Sequence, residues 1–188
     1  MNKVIISING SNGVGKTTFL KNFTKAYPQY IFFSLKSTKK INDPSWWFVK
    51  STPMELINEI IKIVTERDKK IKTNSNTVIL LDKGIITMKA RIFSTLKVRG
   101  YSKARIEKAM AIWNKKCTNI LNEDIAFSIL SSNKIGQVPS LNKYNFNLYN
   151  KLQKQYLLNH CVDFTIRREE LLTIANFEMI YEIIESRR

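Results

Sequence analysis

The sequence is poor in the residues that cross-link small domains and in the acids that would balance its own charge. Its two cysteines, Cys117 and Cys161, stand far apart and form no CxxC or Cys/His ligand spacing. Neither a disulfide framework nor a zinc site is expected, and both read as reduced core thiols. The single histidine, His160, lies beside a short strand pattern and also reads as a core residue. No apolar run approaches the roughly 18 residues of a membrane span. The first strand pattern begins within three residues of the N-terminus, which leaves no room for a signal peptide. The expected location is therefore cytoplasmic, with no membrane partner. Acids are the most telling shortage: 15 Asp and Glu face 31 Lys and Arg, a formal charge of +16. Such an excess draws phosphate-rich or acidic partners by long-range attraction, and nucleic acid is among them. Glycine is scarce as well, with six in the chain, yet three of these fall between positions 10 and 15.

What is present reads as one domain, since 188 residues bury a sizeable core but are too few for two ordinary domains. The apolar, β-branched stretch from Lys3 to Asn9 predicts a parallel strand buried on both faces. A glycine loop ends it, and Phe19, Leu20 and Phe23 recur at helical spacing from Lys16 to Ala26. Tyr30 to Leu35 predicts a second strand. Thr52-Pro53-Met54-Glu55 is a capping-box pattern with proline at the first helical position, opening a helix through about Arg67. A polar break at Lys72 to Asn76 precedes a third strand, TVILLD, ending at Asp82. Helices are predicted over Ile85 to Leu96 and Ser102 to Leu121, the latter burying Ile106, Ala109, Met110, Trp113, Cys117, Ile120 and Leu121. Ile125 to Leu130 predicts a fourth strand. Leu141, Tyr144, Leu148 and Leu152 mark the buried side of another helix, Cys161 to Ile166 a fifth strand, and Glu169 to Glu185 a terminal helix. Strands alternating with helices give an α/β fold, a five-stranded parallel sheet covered on both faces.

Gly10-Ser11-Asn12-Gly13-Val14-Gly15-Lys16-Thr17 matches GxxxxGK(S/T) in full, with a strand before it and a helix after it as the motif requires. The glycines let successive backbone N–H groups turn toward phosphate oxygens where a Cβ would intrude. Residues 10 to 18 are accordingly assigned to ATP: Lys16 to the β- and γ-phosphates, the Thr17 hydroxyl to Mg²⁺, and Thr18 to the α-phosphate or the first helical turn. Asp82 stands at the C-terminal end of its strand, where open α/β sheets place their ligands. After four apolar neighbours, a carboxylate there calls for a partner. It is assigned to Mg²⁺ or the acceptor, with a purely structural tie to local backbone as the alternative.

A phosphate loop alone does not separate switch, motor and kinase. The guanine-reading NKxD of GTPases is missing: Asn114-Lys115, Asn133-Lys134 and Asn142-Lys143 lack Asp at the required position. The chain is also short for a motor. With GSNGVGKTT near its start and LLDKG at Leu80 to Gly84, it resembles the thymidylate kinase and deoxynucleoside kinase branch of the P-loop kinases. That resemblance spans most of the chain. It implies a three-layer P-loop kinase fold with a short lid after strand four, here residues 131–143, in a single domain 1–188.

The resemblance also implies where an acceptor sits. Lys83 occupies the position of the family's arginine after the aspartate, keeping the charge but losing bidentate geometry. The lid segment offers Lys134 and Lys143 where many relatives use arginine. Residues 35–42 contain no acid, although nucleoside kinases place one after strand two. A hydroxyl acceptor benefits from a general base, whereas a phosphate acceptor needs cations. Ten Lys and Arg against Glu107 alone fill Lys83 to Lys116. Most of them read as a solvated helix face. Arg91, Arg99 and Arg105 fall where related kinases hold the acceptor phosphate or cover the active site, and Arg91 and Arg99 are taken as catalytic candidates. Trp46-Trp47-Phe48 follows strand two. Trp46 and Trp47 would stack on an acceptor base, pack beneath a loop, or meet a second copy in a homodimer.

The expectation is a kinase moving the ATP γ-phosphate to a nucleoside monophosphate or nucleoside-like molecule. A polynucleotide 5′-hydroxyl kinase and a nucleotide-binding regulator with little turnover are the alternatives.

Overall fold

The structure, a computed structural model, describes residues 3–36, 38–130, 144–160 and 163–187. The expected lid at 131–143 and Cys161 lie outside the described residues. Five parallel strands form one sheet in the order β2-β3-β1-β4-β5: β1 (Val4–Gly10), β2 (Ile31–Ser34), β3 (Val78–Asp82), β4 (Ile125–Leu130) and β5 (Phe164–Arg167). The registers bring Ile8 and Ser34 beside Asp82 and Gly10 beside Ile129, so the glycine loop and the acidic end of β3 share the C-terminal end of the parallel strands.

Side-chain alternation along the strands feeds two faces. Ile6, Ile8, Val78 and Leu80 pack with Phe19, Leu20 and Phe23 of α1 (Lys16–Ala26) and with Ile180 and Ile184 of α7 (Ile174–Glu185). Ile5, Ile79 and Leu81 face the other way and meet Ile71 of α3 (Pro53–Thr73). A second large cluster joins α3 to α4 (Ile85–Val98), α5 (Lys103–Lys116) and α6 (Phe146–Asn159), with the π-helical turn Trp46–Lys50 set against it. A four-residue helix, α2 (Lys39–Asn42), precedes that turn. Helices thus cover both faces of the sheet. Among the described residues no helix is long and apolar enough to cross a membrane.

Several local expectations change. The predicted capping box of α3 is complete. The helix continues past Arg67 to Thr73 because Ile71 prolongs its buried stripe beyond the charged pair Arg67-Asp68. The predicted inner side of α6 is rotated: Tyr149, Asn150, Gln153, Tyr156 and Leu157 are buried while Leu148 is exposed, so polar residues hold inward positions that the leucine spacing concealed. The terminal segment begins with a 3₁₀ turn, Arg168–Glu170, and α7 starts only at Ile174. His160 is exposed rather than core, its ring stacked 3.7 Å from Tyr156. Cys117 is half-buried, with its thiol pushed up to about 11 by burial.

Candidate functional site

The glycine loop joins β1 directly to the first turn of α1. Gly10 and Gly15 have φ of 146° and 101°, conformations that side chains rarely adopt. A Cβ on Gly10 would lie 2.8 Å from both Ile129 O and the buried Val14 side chain. No side chain caps the N-terminus of α1. Its first amides and its positive dipole end are therefore free for an anion.

Lys16, 5% exposed, folds back across this cradle and donates to Gly10 O at 2.9 Å and Ser11 O at 2.7 Å. Its ammonium is pushed down to about 7, first by burial, then by the charge of Lys83, with Asp82 acting the opposite way and Arg91 adding to the depression. A buried cation held only by carbonyls gains strongly from an arriving anion. Facing it, Asp82 is 4% exposed and accepts from the Thr17 hydroxyl at 2.6 Å and from Ser34 at 3.3 Å through the same oxygen, Oδ2. Its other oxygen, Oδ1, is buried without a hydrogen-bond partner. An orphaned carboxylate oxygen beside a threonine hydroxyl is the donor set of a hard cation such as Mg²⁺, which takes oxygen ligands and completes its shell with water and phosphate. The residues present fit that ion.

Lys83 and Arg91 face the other side of the site. Lys83 adopts a left-handed φ of 79°, held by its N–H to Ile8 O (3.2 Å) and by Arg67 Nη1 donating to its carbonyl (3.2 Å). Such a conformation costs about 1–3 kcal/mol unless its surroundings impose it. Arg67 does so as a buried residue, paired with Asp68 at 2.9 Å, whose other oxygen accepts from Leu121 N at 3.0 Å. The Lys83 ammonium is lowered by burial and by Arg91, and Asp82 opposes both. The Arg91 guanidinium sits 4.6 Å from the Trp47 ring, and its Nε reaches Tyr149 Oη at 3.4 Å. Trp47, 2% exposed, anchors this stack by donating from Nε1 to Thr95 Oγ1 at 2.8 Å.

Lys16, Thr17, Asp82, Lys83 and Arg91 thus come together around the loop, whereas the other candidates do not join them. Arg99 ends two turns beyond Arg91, about 12 Å along the helix axis. It binds Val49 O at 3.0 Å and Ser51 Oγ at 3.4 Å and stacks on Tyr101. Arg105 is exposed on α5, beside Met54, Tyr101 and Lys108 in an apolar cleft of about 300 Å³. Both were expected near the reacting phosphate, and the course of α4 and α5 carries them away from it. Trp46 is half-buried against Trp47, with Lys40 5.7 Å from its ring, and Phe48 packs on Tyr144. Trp47 is closed off within the chain, so it supports Arg91 and leaves no face for a base or a second copy.

Sequence reasoning missed a supporting network. Glu123, half-buried before β4, accepts from the Ile85 N–H and from Ser7 Oγ at 2.6 Å. Burial pushes its carboxyl upward, and those two hydrogen bonds pull it back. A Cβ on Gly84 would lie 2.3 Å from its oxygens, which explains the glycine of LLDKG. The available signals were an acid pair, Glu123-Asp124, in an acid-poor chain, and a charged pair, Arg67-Asp68, interrupting the apolar stripe of α3.

No protein-family model matches this sequence, and no match is found among curated proteins. Solved structures do match. The thymidylate kinase of Candida albicans superposes with a TM-score of 0.71 at 13% identity, covering 99% of this chain and 92% of that one. The deoxyadenosine kinase of M. mycoides with bound dATP does so with a TM-score of 0.67 at 16% identity, covering 97% and 100%. The same enzyme with bound dCTP gives 0.58 at 20% identity. The chain therefore has the P-loop kinase fold of thymidylate and deoxynucleoside kinases.

Proposed function

We propose that the protein is an ATP-dependent kinase that moves the γ-phosphoryl group to a small acceptor carrying its own phosphate, a nucleoside monophosphate or close analogue. The observation that carries this is the pairing of Thr17 with Asp82 Oδ2, opposite Lys16, while Asp82 Oδ1 stands buried and unpartnered. The loop amides and Lys16 would bind the β- and γ-phosphates. Mg²⁺, held by Thr17 and Asp82 directly or through water, would offset charge on the phosphates. Lys83 and Arg91 would hold the acceptor phosphate and aim one of its oxygens in line with the γ-phosphorus. A new P–O bond then forms to the acceptor as the bond to the β–γ bridging oxygen breaks, and ADP leaves. A phosphorylated acceptor is favoured because Lys16, Lys83 and Arg91 lie within electrostatic reach of one another, and the one carboxylate that acts on the two lysines is Asp82. ATP alone does not use all three cations, and residues 35–42 supply no acid to deprotonate a hydroxyl.

The test is ADP formation from Mg·ATP with a panel of nucleosides and nucleoside monophosphates. Stimulation by monophosphates, lost in Lys16→Ala, is expected. If no acceptor raises ADP formation and Lys16→Ala matches the wild type, the proposal fails.

One further feature favours a nucleic-acid acceptor as the second reading. Exposed Lys97, Lys103, Arg105, Lys108, Lys115 and Lys116 line α4 and α5, and the described residues pair one of them, Lys103 with Glu107 at 3.9 Å. A polynucleotide kinase would bind oligonucleotides with an affinity falling steeply in salt. Binding that ignores salt removes this reading.

A further inference from the structure

Next to Lys83, at Gly84, ends a chain of buried polar groups that begins on the far side of β1. The Gly84 N–H donates to Asn9 Oδ1 at 3.0 Å, and the Thr87 hydroxyl donates to the same oxygen at 2.8 Å. An amide nitrogen is always a donor, so these contacts fix the Asn9 side chain with its oxygen toward Gly84 and its NH₂ toward Ser7. Asn9 Nδ2 then donates to Ser7 Oγ at 2.7 Å, which leaves the Ser7 proton to Glu123 Oε2 at 2.6 Å. The other Glu123 oxygen takes the Ile85 N–H. Ser7 and Asn9 are 0% exposed and Thr87 is 2% exposed, so no water competes for the bonds among them. The Gly84 N–H thus fixes Asn9, Asn9 fixes Ser7, and the Ser7 proton is directed to the carboxylate at the end. Thr87 Oγ1 also accepts from Gly10 N at 3.4 Å, bracing the loop entrance on the same network.

We propose that Glu123 is a positioning residue: acting through Ser7 and Asn9 it sets the backbone at Gly84, and so holds Lys83 in its left-handed conformation with the ammonium facing the site. The functional consequence, which rests on the kinase reading above, is that Glu123 governs turnover without touching either substrate. A helix cap is the structural alternative, in which the Ile85 bond alone matters. The two differ at Ser7, which the cap does not use.

The test combines amide NMR of ¹⁵N-labelled protein with steady-state assays using Mg·ATP and an equimolar mixture of the four deoxynucleoside monophosphates. In Glu123→Gln both the Ile85 and Gly84 amide resonances shift, and in Ser7→Ala the Gly84 resonance shifts while Ile85 stays. Turnover falls about 10- to 100-fold in Glu123→Gln, the range a small misplacement of a binding group produces. The KM for Mg·ATP changes less than about threefold, because Gly10 N meets the network only through its 3.4 Å bond to Thr87, and Lys16 is held by Gly10 O and Ser11 O outside it. Adding Glu123→Gln to Lys83→Ala brings no further loss, since both act at one point. A Gly84 resonance unmoved in Ser7→Ala, or losses that multiply in the double variant, overturns the proposal. If Glu123→Gln does not fold, Ser7→Ala carries the same two readouts. If the wild type transfers no phosphate, the kinase reading is what fails, and the Gly84 resonance still decides the positioning role.

Discussion

In the proposed kinase, the nucleotide side and the acceptor side of the site are built in opposite ways. Nine consecutive residues, Gly10 to Thr18, make the nucleotide cradle, and a neighbouring strand end adds Asp82. The acceptor side is assembled from distant segments. Lys83 is held by Arg67 on α3, and Arg91 is stacked on Trp47 and touched by Tyr149 of α6. A contiguous loop at a helix N-terminus binds phosphate through backbone groups that any sequence of the right shape supplies. An assembled set of side chains is specific to its partner and is easily disturbed by remote substitutions. The nucleotide side should therefore fail when its own residues change, and the acceptor side when its supports change.

The largest effect belongs to Lys16 and Asp82. Lys16→Ala or Asp82→Asn is expected to lower kcat by on the order of 10²–10³-fold, the scale seen when one stabilising group is removed from a preorganised site. Steady-state rates of ADP formation check this. Equal retention of activity in both variants would place the chemistry elsewhere and collapse the distinction between the two sides.

Lys16 also makes the nucleotide side sensitive to pH. Its folded pKa of about 7 lies below the usual lysine value, so the unfolded chain binds more protons between about 7 and 10.5. Stability of the free protein from this group therefore rises with pH across that window and is flat below it. Nucleotide binding reverses the preference by supplying anions. Above about pH 7 it should take up close to one proton, and ATP affinity should fall by up to tenfold per pH unit. Calorimetry in buffers of different ionisation enthalpy measures the uptake. Proton uptake that is zero at pH 8.5 would mean that Lys16 keeps its charge without ligand.

On the acceptor side, Arg91→Met is expected to raise the acceptor KM about tenfold while the KM for Mg·ATP stays within about twofold. Trp47→Ala should follow it in direction, because the guanidinium loses the ring it stacks on. It should also cost about 3–5 kcal/mol of stability through the cavity left in the core. Thermal melts separate the two contributions. A matched rise in both KM values would show that Arg91 serves both sides.

The same contrast explains what the sequence made legible. The helix after the loop and β4 were predicted with the observed limits, Lys16 to Ala26 and Ile125 to Leu130, because strong apolar periodicity and glycine punctuation act locally. Arg91 could be proposed as one cation of a basic helix, but nothing local distinguished it from Arg99, since both lie on the same run. The stack on Trp47 separates them, and that is a contact over 44 positions of chain. The roles of Glu123 and Arg67 could not be read for the same reason: composition singles the residues out, but their bonds to Ser7, Ile85 and Lys83 are long-range. On α6, buried Gln153 and Asn150 with exposed Leu148 inverted the pattern that leucine spacing suggested.

The smallest expected effect concerns Arg99, and it is the sharpest test of where the acceptor side ends. Its guanidinium reaches Val49 O and Ser51 Oγ at the junction between the aromatic turn and α3, not the phosphate loop. Arg99→Ala should therefore leave turnover and both KM values within about twofold. It should lower stability by about 1 kcal/mol, the usual net worth of an intramolecular hydrogen bond. Arg99→Lys, which keeps the charge without the planar fork, should show most of the same stability loss. A kcat drop of tenfold or more in Arg99→Ala, with normal melting, would mean that the turn carrying Trp46 and Trp47 swings Arg99 toward the phosphates during the reaction. The acceptor side would then extend the full length of α4.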